Sequence, residues 1–271
     1  MPTSPEFDRD AALRAATNAA SAASRILLGR YRSLADKPLR ISTKGRGAIV
    51  TDADMEADRA IAAALDEAGA PGDFLSEESS RRRGGDGLTW LIDPLCGTTP
   101  FSTGMGHWGV NIALRAGPEI EVGVLELPTL GEQLAAVRGK GATRDGRPLE
   151  AHAPPGRLQD VAVALEIDGG PEWDRLATSK LGWARHAGQI NSFTSAAYPI
   201  GQLLLGRLHA AVFYKIASVH LAAGAAIASE LGVRVTDSQG ARLDWTRVDD
   251  FECAVVGWPD VHAELIEALS G

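Results

Sequence analysis

The segment from Trp90 to Phe101 places groups that could bind a metal ion next to groups that could bind a phosphate. An apolar run ends on Asp93, a turn with proline and glycine follows, and two threonines, Thr98 and Thr99, stand at a predicted helix start. Carboxylate and carbonyl oxygens are the ligands that hard divalent cations prefer, and amides at a helix start favour an oxyanion. The segment therefore predicts a site that holds a cation and an oxyanion together.

Two covalent phosphatase mechanisms lack a required residue here. A phosphatase that forms an aspartyl phosphate needs a second aspartate two residues after the first, but Leu95 stands there. A cysteine phosphatase needs an arginine six residues after Cys96, but Ser102 stands there. The GxGxxG string from Gly104 to Gly109 does not follow a strand and open a long helix, so a dinucleotide site is not favoured.

A second group of acidic side chains opens the helix that the periodicity predicts from Asp52 to Gly69. Four carboxylates lie in its first two turns, at Asp52, Asp54, Glu56 and Asp58. Acidic residues are favourable at a helix N-terminus because of the helix dipole. Helix capping is therefore an alternative to a metal-binding or catalytic role for each of them.

The surrounding elements predict a layered α/β fold. Residues 9–30 carry alanine and leucine at helical spacing, and alternating strands and helices follow residue 161. We expect an N-terminal α+β half, residues 1–150, that carries the metal-binding motifs, and a C-terminal α/β half, residues 151–271, that completes the site. Apolar runs bounded by turn residues predict the strands of the first half at 88–92, 110–114, 121–127 and 133–137.

Composition limits the function classes. The 271 residues are 45% hydrophobic and 23% charged, which is typical of a globular protein and not of a disordered chain. Two cysteines exclude a disulfide framework, so we expect a reduced, cytoplasmic location. The net charge of −8 argues against a nucleic-acid partner, and the basic run from Arg81 to Arg83 is best explained as a solvated loop tip. No apolar run reaches the roughly 18 residues of a membrane span.

Six segments, in order, resemble those of the inositol monophosphatase family. Residues 90–101 are similar to its metal-binding signature, a strand followed by D-P-[LI]-D-G-T-T-N-F. Five further segments resemble family motifs in order and spacing: Lys44 with Ile49 to Asp54, Phe74 to Ser79, Gly123 to Gly146, Ser195 to Leu208, and Val219 to Gly240. The resemblance runs from about residue 10 to the C-terminus.

The resemblance implies a Mg²⁺-dependent phosphomonoesterase that acts on a small-molecule phosphate ester and forms a homodimer. It implies that Glu77, Asp93 and the carbonyl of Leu95 hold the first metal ion. It also implies that Thr98 and Asp54 orient and deprotonate a metal-activated water. The substrate classes are sugar, inositol and nucleotide phosphates.

The resemblance further implies the residues that bind the substrate. The amides of Gly97, Thr98 and Thr99 are expected to hold the phosphate. Ser195 corresponds to a serine that contacts substrate in the family, and the segment that begins at Asn191 is the candidate pocket for the rest of the substrate. Capping of a helix by a solvated loop is the alternative explanation of that segment.

Two departures from the family pattern fall on the same metal. Cys96 replaces the second aspartate of the signature, and His220 replaces the aspartate of a later motif, so both would be ligands of the second ion. Thiolate and imidazole are ligands for Zn²⁺, Fe²⁺ or Co²⁺ and poor ones for Mg²⁺. The alternatives to Mg²⁺ as the bound ion are Mn²⁺ and Zn²⁺. We expect turn amides to lower the pKa of Cys96 and a helix N-terminus to keep His220 neutral. The alternative function is a non-catalytic or chemically diverged member that binds a phosphoester or a softer metal.

Overall fold

Six helices occur in the part of the chain that this computed structural model describes, residues 7–43, 49–81, 87–167, 180–247 and 249–270. Lys44 of one family motif, and Arg82 and Arg83 of the basic run, lie outside it. The helices are α1 (Arg9–Arg32), α2 (Asp52–Glu67), α3 (Thr98–Ser102), α4 (Ala197–Leu204), α5 (Ser218–Glu230) and α6 (Pro259–Ser270), and two short 3-10 helices span Leu158–Asp160 and Gly182–His186.

Most strands lie in one large, mainly antiparallel sheet. Its strand order is β10-β9-β8-β7-β6-β5-β3-β4, and β3 and β5 form its parallel pair. The bounds are β3 (Asp73–Ser76), β4 (Ser80–Arg81), β5 (Leu88–Cys96), β6 (Gly109–Ala116), β7 (Glu119–Leu127), β8 (Glu132–Val137), β9 (Ala142–Arg144) and β10 (Arg147–Pro148).

A second sheet comes from the C-terminal part of the chain. Its order is β12-β11-β13-β15-β14, parallel between β11 and its two neighbours and antiparallel elsewhere. The bounds are β11 (Ala162–Ile167), β12 (Gln189–Asn191), β13 (Ala210–Ile216), β14 (Arg234–Thr236) and β15 (Phe251–Gly257). A two-stranded antiparallel sheet pairs β1 (Ile41–Thr43) with β2 (Ile49–Thr51) ahead of α2.

The helices fill the spaces on either side of the two sheets. Alanines of α1 such as Ala16 and Ala20 are fully buried, and their small side chains let α1 pack closely on α2 against one face of the large sheet. Helices α4 and α5 lie on its other face and also contact the second sheet. Helix α6 covers the far side of the second sheet. The described residues thus form alternating helical and sheet layers.

The predicted elements agree with the structure in type, and the fold class is confirmed. Strand β5 is the main difference, because the apolar run suggested an end near Ile92 and the strand continues to Cys96. Its register against β6 shifts between Asp93 and Cys96, and Cys96 pairs with Gly109. Pro94 is accommodated at this irregularity, as prolines in strands require. Among the described helices, none has the length and apolar character needed to span a bilayer.

Candidate active site

Asp54 and Thr98 meet at the junction of α2 and α3. The Thr98 hydroxyl donates to Asp54 Oδ1 at 2.9 Å, and Asp54 Oδ2 accepts from the Thr51 amide at 2.8 Å and the Thr51 hydroxyl at 2.6 Å. Thr51 is the N-cap of α2 and forms a capping box with Asp54. The capping role of Asp54 is therefore confirmed through Oδ2, while Oδ1 remains directed at Thr98.

The end of β5 supplies the buried carboxylate beside this pair. Asp93 is fully buried, and its Oδ1 accepts from the Leu95 amide at 3.1 Å. The carbonyl of Leu95 lies 3.3 Å from the Thr98 hydroxyl. The strand thus brings the Asp93 carboxylate and a backbone carbonyl next to the hydroxyl that Asp54 holds.

Gly97 makes the sharp turn from β5 into α3. Its φ of +104° lies in the left-handed region, where glycine carries no steric penalty. A Cβ here would lie 2.7 Å from the carbonyl oxygen of His107 and 3.0 Å from the Cβ of Ser195. Glycine is therefore needed both for the backbone conformation and for the close approach of two other segments.

Glu77 reaches the site from the turn after β3. Its amide donates to the Ile92 carbonyl of β5 at 3.0 Å, which ties the turn to the strand that carries Asp93. The buried carboxylate of Asp58 accepts from the hydroxyls of Ser76 at 2.6 Å and Ser79 at 2.7 Å, on either side of Glu77. Sequence reasoning missed this positioning role, although Asp58 falls one helical turn after Asp54.

Cys96 and His220 lie on the other side of Asp93. His220 Nδ1 is 2.5 Å from Asp93 Oδ2 and 4.0 Å from Glu77 Oε2. One ligand atom each of Asp93, Cys96 and His220 can be chosen so that all three lie within 4.8 Å of one another. The structure therefore brings the two substituted positions together around the Asp93 carboxylate, as the resemblance implies.

The ionisation of this cluster differs from the prediction. Burial and the Asp93 charge raise the pKa of Cys96 to about 12, although His220 and the Ala197 amide oppose them. Burial lowers the pKa of His220, but the Asp93 carboxylate outweighs it and holds that pKa well above 6.5. The expectations of an acidified thiol and a neutral imidazole were wrong, because both considered only backbone dipoles. Burial also raises the pKa of Asp54, and the Asp93 charge adds to that rise.

The segment before α4 closes the site next to Cys96. The Ser195 hydroxyl donates to the Cys96 carbonyl at 3.0 Å, and the amides of Ala196 and Ala197 point at Cys96 Sγ from 3.3 and 3.2 Å. Asn191 lies four residues upstream in the exposed edge strand β12. Thr99 is exposed on α3, and its carbonyl accepts from the Ser102 hydroxyl.

Glu166 of β11 holds this segment in place, a role that sequence reasoning missed. Its two carboxylate oxygens accept from the amides of Phe193 at 2.7 Å and Thr194 at 2.8 Å. Burial nevertheless raises the pKa of Glu166 to about 7, because it outweighs the amide donors. A lone acidic residue in a predicted strand gave no signal, since its partners lie 27 and 28 residues away.

The donors fall into two sets of different chemistry. Glu77, Asp93 and the Leu95 carbonyl offer only oxygen, which suits Mg²⁺ or Mn²⁺. Asp93, Cys96 and His220 offer one oxygen, one sulfur and one nitrogen. Magnesium is a poor match for this second set, so the residues present fit one hard cation and do not fit a second.

The sequence and the fold were compared with those of known proteins, and both have relatives. A sequence model described as the inositol monophosphatase family matches residues 8–270. A relative named glucose-1-phosphate thymidylyltransferase, from Streptomyces griseus, is 34% identical over 223 residues that cover 74% of this chain and 78% of that one. An inositol-1-monophosphatase from Rhizobium meliloti (strain 1021) is 32% identical over 208 residues, covering 74% and 77%. The crystal structure of extragenic suppressor protein suhB from Bartonella henselae superimposes with a TM-score of 0.86 at 28% identity, covering 96% and 98% of the two chains.

Proposed function

Because the chain belongs to the inositol monophosphatase family, we propose that it hydrolyses a small phosphate monoester by direct attack of water, with a divalent cation bound at Glu77, Asp93 and the Leu95 carbonyl. Phosphoryl transfer depends on positioning and charge neutralisation more than on covalent participation by the protein. A sugar, inositol or nucleotide phosphate is the substrate class. The names of the two relatives motivate including inositol phosphate and glucose 1-phosphate among the compounds tested.

The observation that carries this proposal is the hydrogen bond from Thr98 to the buried carboxylate of Asp54, at 2.9 Å. The hydroxyl that donates to Asp54 can still accept a proton from an attacking water. The water oxygen bonds to phosphorus as the bond to the ester oxygen breaks. The water proton passes to Thr98 Oγ1, the Thr98 proton passes to Asp54 Oδ1, and the departing alkoxide takes a proton from solvent.

The remaining residues position the substrate in this proposal. The amides of Gly97, Thr98 and Thr99 hold the phosphate, and Ser195 and Asn191 face the leaving group. A divalent cation, when bound, supplies charge neutralisation and Lewis acidity to the phosphate. Magnesium as the ion, a homodimer, a cytoplasmic location and the division of the chain at residue 150 are parts of the proposal that rest on the family resemblance and the sequence pattern.

The test is phosphate release by the purified protein from inositol, sugar and nucleotide monophosphates, with Mg²⁺, Mn²⁺ or Zn²⁺ supplied in turn. We expect turnover of at least one compound and its loss on chelation. No release from any compound with any of the three ions would contradict the proposal. The non-catalytic binding function would then be the better explanation.

Replacement of Asp54 tests whether its carboxylate accepts the proton or only adds negative charge near the site. Asp54→Asn removes the proton acceptor and should lower kcat by about 10²- to 10⁴-fold, the usual contribution of a general base. Asp52→Asn is the matched control, because it removes a carboxylate two residues away that pairs with Arg30 at 2.5 Å outside the site. Equal kcat values for the two variants would rule out Asp54 as the acceptor.

A further inference from the structure

Asp93, Cys96 and His220 form a cluster of three chemically different donors whose ligand atoms lie within 4.8 Å of one another. We propose that this cluster is a site for a borderline-soft divalent cation such as Zn²⁺, with Asn111 as a polar neighbour. This site shares Asp93 with the hard-cation site and adjoins the proposed catalytic water. Its part in catalysis rests on the proposed function, but the binding of a cation there does not.

The donor set decides which ion is preferred. Thiolate and imidazole are ligands for Zn²⁺ and Co²⁺ and poor ligands for Mg²⁺. Three protein donors that leave one position open are the pattern of catalytic zinc sites. The 2.5 Å contact between His220 Nδ1 and Asp93 Oδ2 is a hydrogen bond. A cation held by these three groups would replace the proton between His220 and Asp93 and the Cys96 thiol proton, both of which would pass to solvent.

Two backbone amides and a hydroxyl group hold Cys96 in place. The amides of Ala196 and Ala197 point at Sγ from 3.3 and 3.2 Å, and the side chain is 4% exposed. Ser195 holds the backbone of Cys96 through its carbonyl at 3.0 Å. Such outer contacts orient metal ligands and tune their affinity. The two amides stand at the start of α4, where N–H groups have no acceptor within the helix, so Sγ is held at a fixed position.

Asn111 supplies a second, independent indication of a ligand. It is fully buried, and neither its amide nitrogen nor its amide oxygen has a hydrogen-bond partner in the part of the chain that the structure describes. Asn111 is directly opposite Asp93 in the β5–β6 ladder, so both side chains project from the same face of the sheet. Buried polar groups without partners are rare in native proteins and call for a water or an ion. Asn111 is therefore a buried side chain on the Asp93 face of the sheet whose amide is left to bind a water or another ligand.

Cobalt binding tests the site without any turnover. Metal-free protein is titrated with Co²⁺ in a large excess of Mg²⁺, and the thiolate-to-cobalt charge-transfer absorption is followed. We expect one equivalent per chain and an unchanged signal in Cys253→Ser, the matched control for the other buried cysteine. Cys96→Ser, which keeps an acceptor for the two amides, and His220→Gln should abolish the charge-transfer band or weaken the Zn²⁺ affinity by on the order of 100-fold. Absence of the band in wild type, or its persistence in Cys96→Ser, overturns the proposal.

X-ray absorption at the zinc edge on wild-type protein keeps the test independent of any variant. A first shell with one sulfur and one imidazole is expected, and a shell of oxygen donors alone overturns the proposal. Asn111→Ala should weaken Zn²⁺ binding by roughly 10- to 100-fold, while Asn18→Ala, on the exposed side of α1, should not. Equal affinities of these two variants remove Asn111 from the site. If the protein binds Zn²⁺ at the cluster but releases no phosphate from any substrate, only the proposed function fails. If it releases phosphate but does not bind Zn²⁺ at the cluster, only this proposal fails.

Discussion

Single residues at the end of β5 decide whether the site can form, and Gly97 is the most constrained of them. Its positive φ turns the chain from Cys96 into Thr98, and its lack of a side chain admits the His107 carbonyl and Ser195. The same glycine therefore sets the direction of Thr98 and the distance between the end of β5 and the segment that carries Ser195. A larger residue would disturb both at once.

Gly97→Ala should lower the free energy of unfolding by about 2–5 kcal/mol, combining left-handed strain with overpacking. Gly104→Ala is the control, because Gly104 also has a positive φ, +79°, but an added Cβ there would meet no atom within 4 Å. It should lose only about 1 kcal/mol. Urea unfolding of both variants measures the difference. Equal losses would mean that strain alone matters and that the contacts of Gly97 are not tight.

At this scale, residue types and spacing predicted which side chains gather, but not how they ionise. Asp54, Asp93, Cys96 and His220 were all expected at the site and lie together there. The predicted directions of the pKa shifts of Cys96 and His220 were wrong. The shifts in the folded protein depend on the burial of each group and on its distance from Asp93. Neither quantity can be obtained from a local pattern of amino acids.

The acids of α2 illustrate the same limit. Asp52 pairs with Arg30, Asp54 accepts from Thr98, and Asp58 binds the serines around Glu77. Helical spacing predicts that Asp54 and Asp58 share one face and that Asp52 lies on another, but it does not say which partner each side chain meets. Those partners come from other elements, far away in the sequence.

Among the elements, β11 and the segment before α4 act as one unit through Glu166. Its carboxylate accepts from the amides of Phe193 and Thr194, and Thr194 has a φ of +54°. This contact fixes the backbone that leads to Ser195 and to the amides facing Cys96. The carboxyl group is buried, so its charge state affects the stability of this unit.

The pH dependence of stability should reveal Glu166. Its pKa in the folded protein is raised from 4.5 to about 7 by burial, so the folded state binds more protons than the unfolded state between these values. Its stabilising contribution is full below pH 4.5 and is lost as the pH rises through about 7. Wild type should therefore lose stability relative to Glu166→Gln over that window, with no further change above it. Urea unfolding from about pH 4.5 to about pH 8.5 measures this, and parallel profiles for the two proteins would contradict it.

The long elements were predictable because their signals are local. Helices α1, α2 and α6 and the main strands follow from apolar periodicity and from caps such as Thr51, while α5 is a long, alanine-rich apolar segment with little periodicity. The extension of β5 to Cys96 and the short strand β12 were not predicted. Both depend on pairing with distant strands, β6 for the first and β11 for the second. Such pairing stabilises extended backbone that has no strong intrinsic preference.

In the molecule as a whole, α5 connects the two sheets of the described residues. It comes from the C-terminal region, yet it packs on strands β5 to β8 of the large sheet and carries His220 to Asp93. Gly123 of β7 lies directly beneath it, and a Cβ there would be 2.6 Å from the Ala223 carbonyl oxygen and 2.7 Å from the Ala226 Cβ. The close approach of α5 and the large sheet at Gly123 therefore helps to set the distance between His220 and Asp93.

Gly123→Ala should consequently push α5 away from the large sheet. Because the nearest atoms are backbone and a neighbouring helical alanine, the methyl group cannot be accommodated by a rotamer change, and a loss of about 2–3 kcal/mol is expected. Gly29→Ala is the control, since Gly29 is exposed in α1 with no atom within 4 Å of an added Cβ, and it should gain about 0.5–1 kcal/mol. Urea unfolding gives both values, and cobalt binding reports on the site. If α5 sets the geometry, Gly123→Ala weakens cobalt binding as well as stability, whereas a loss of stability with unchanged cobalt affinity would show that the cluster does not depend on this helix-to-sheet spacing.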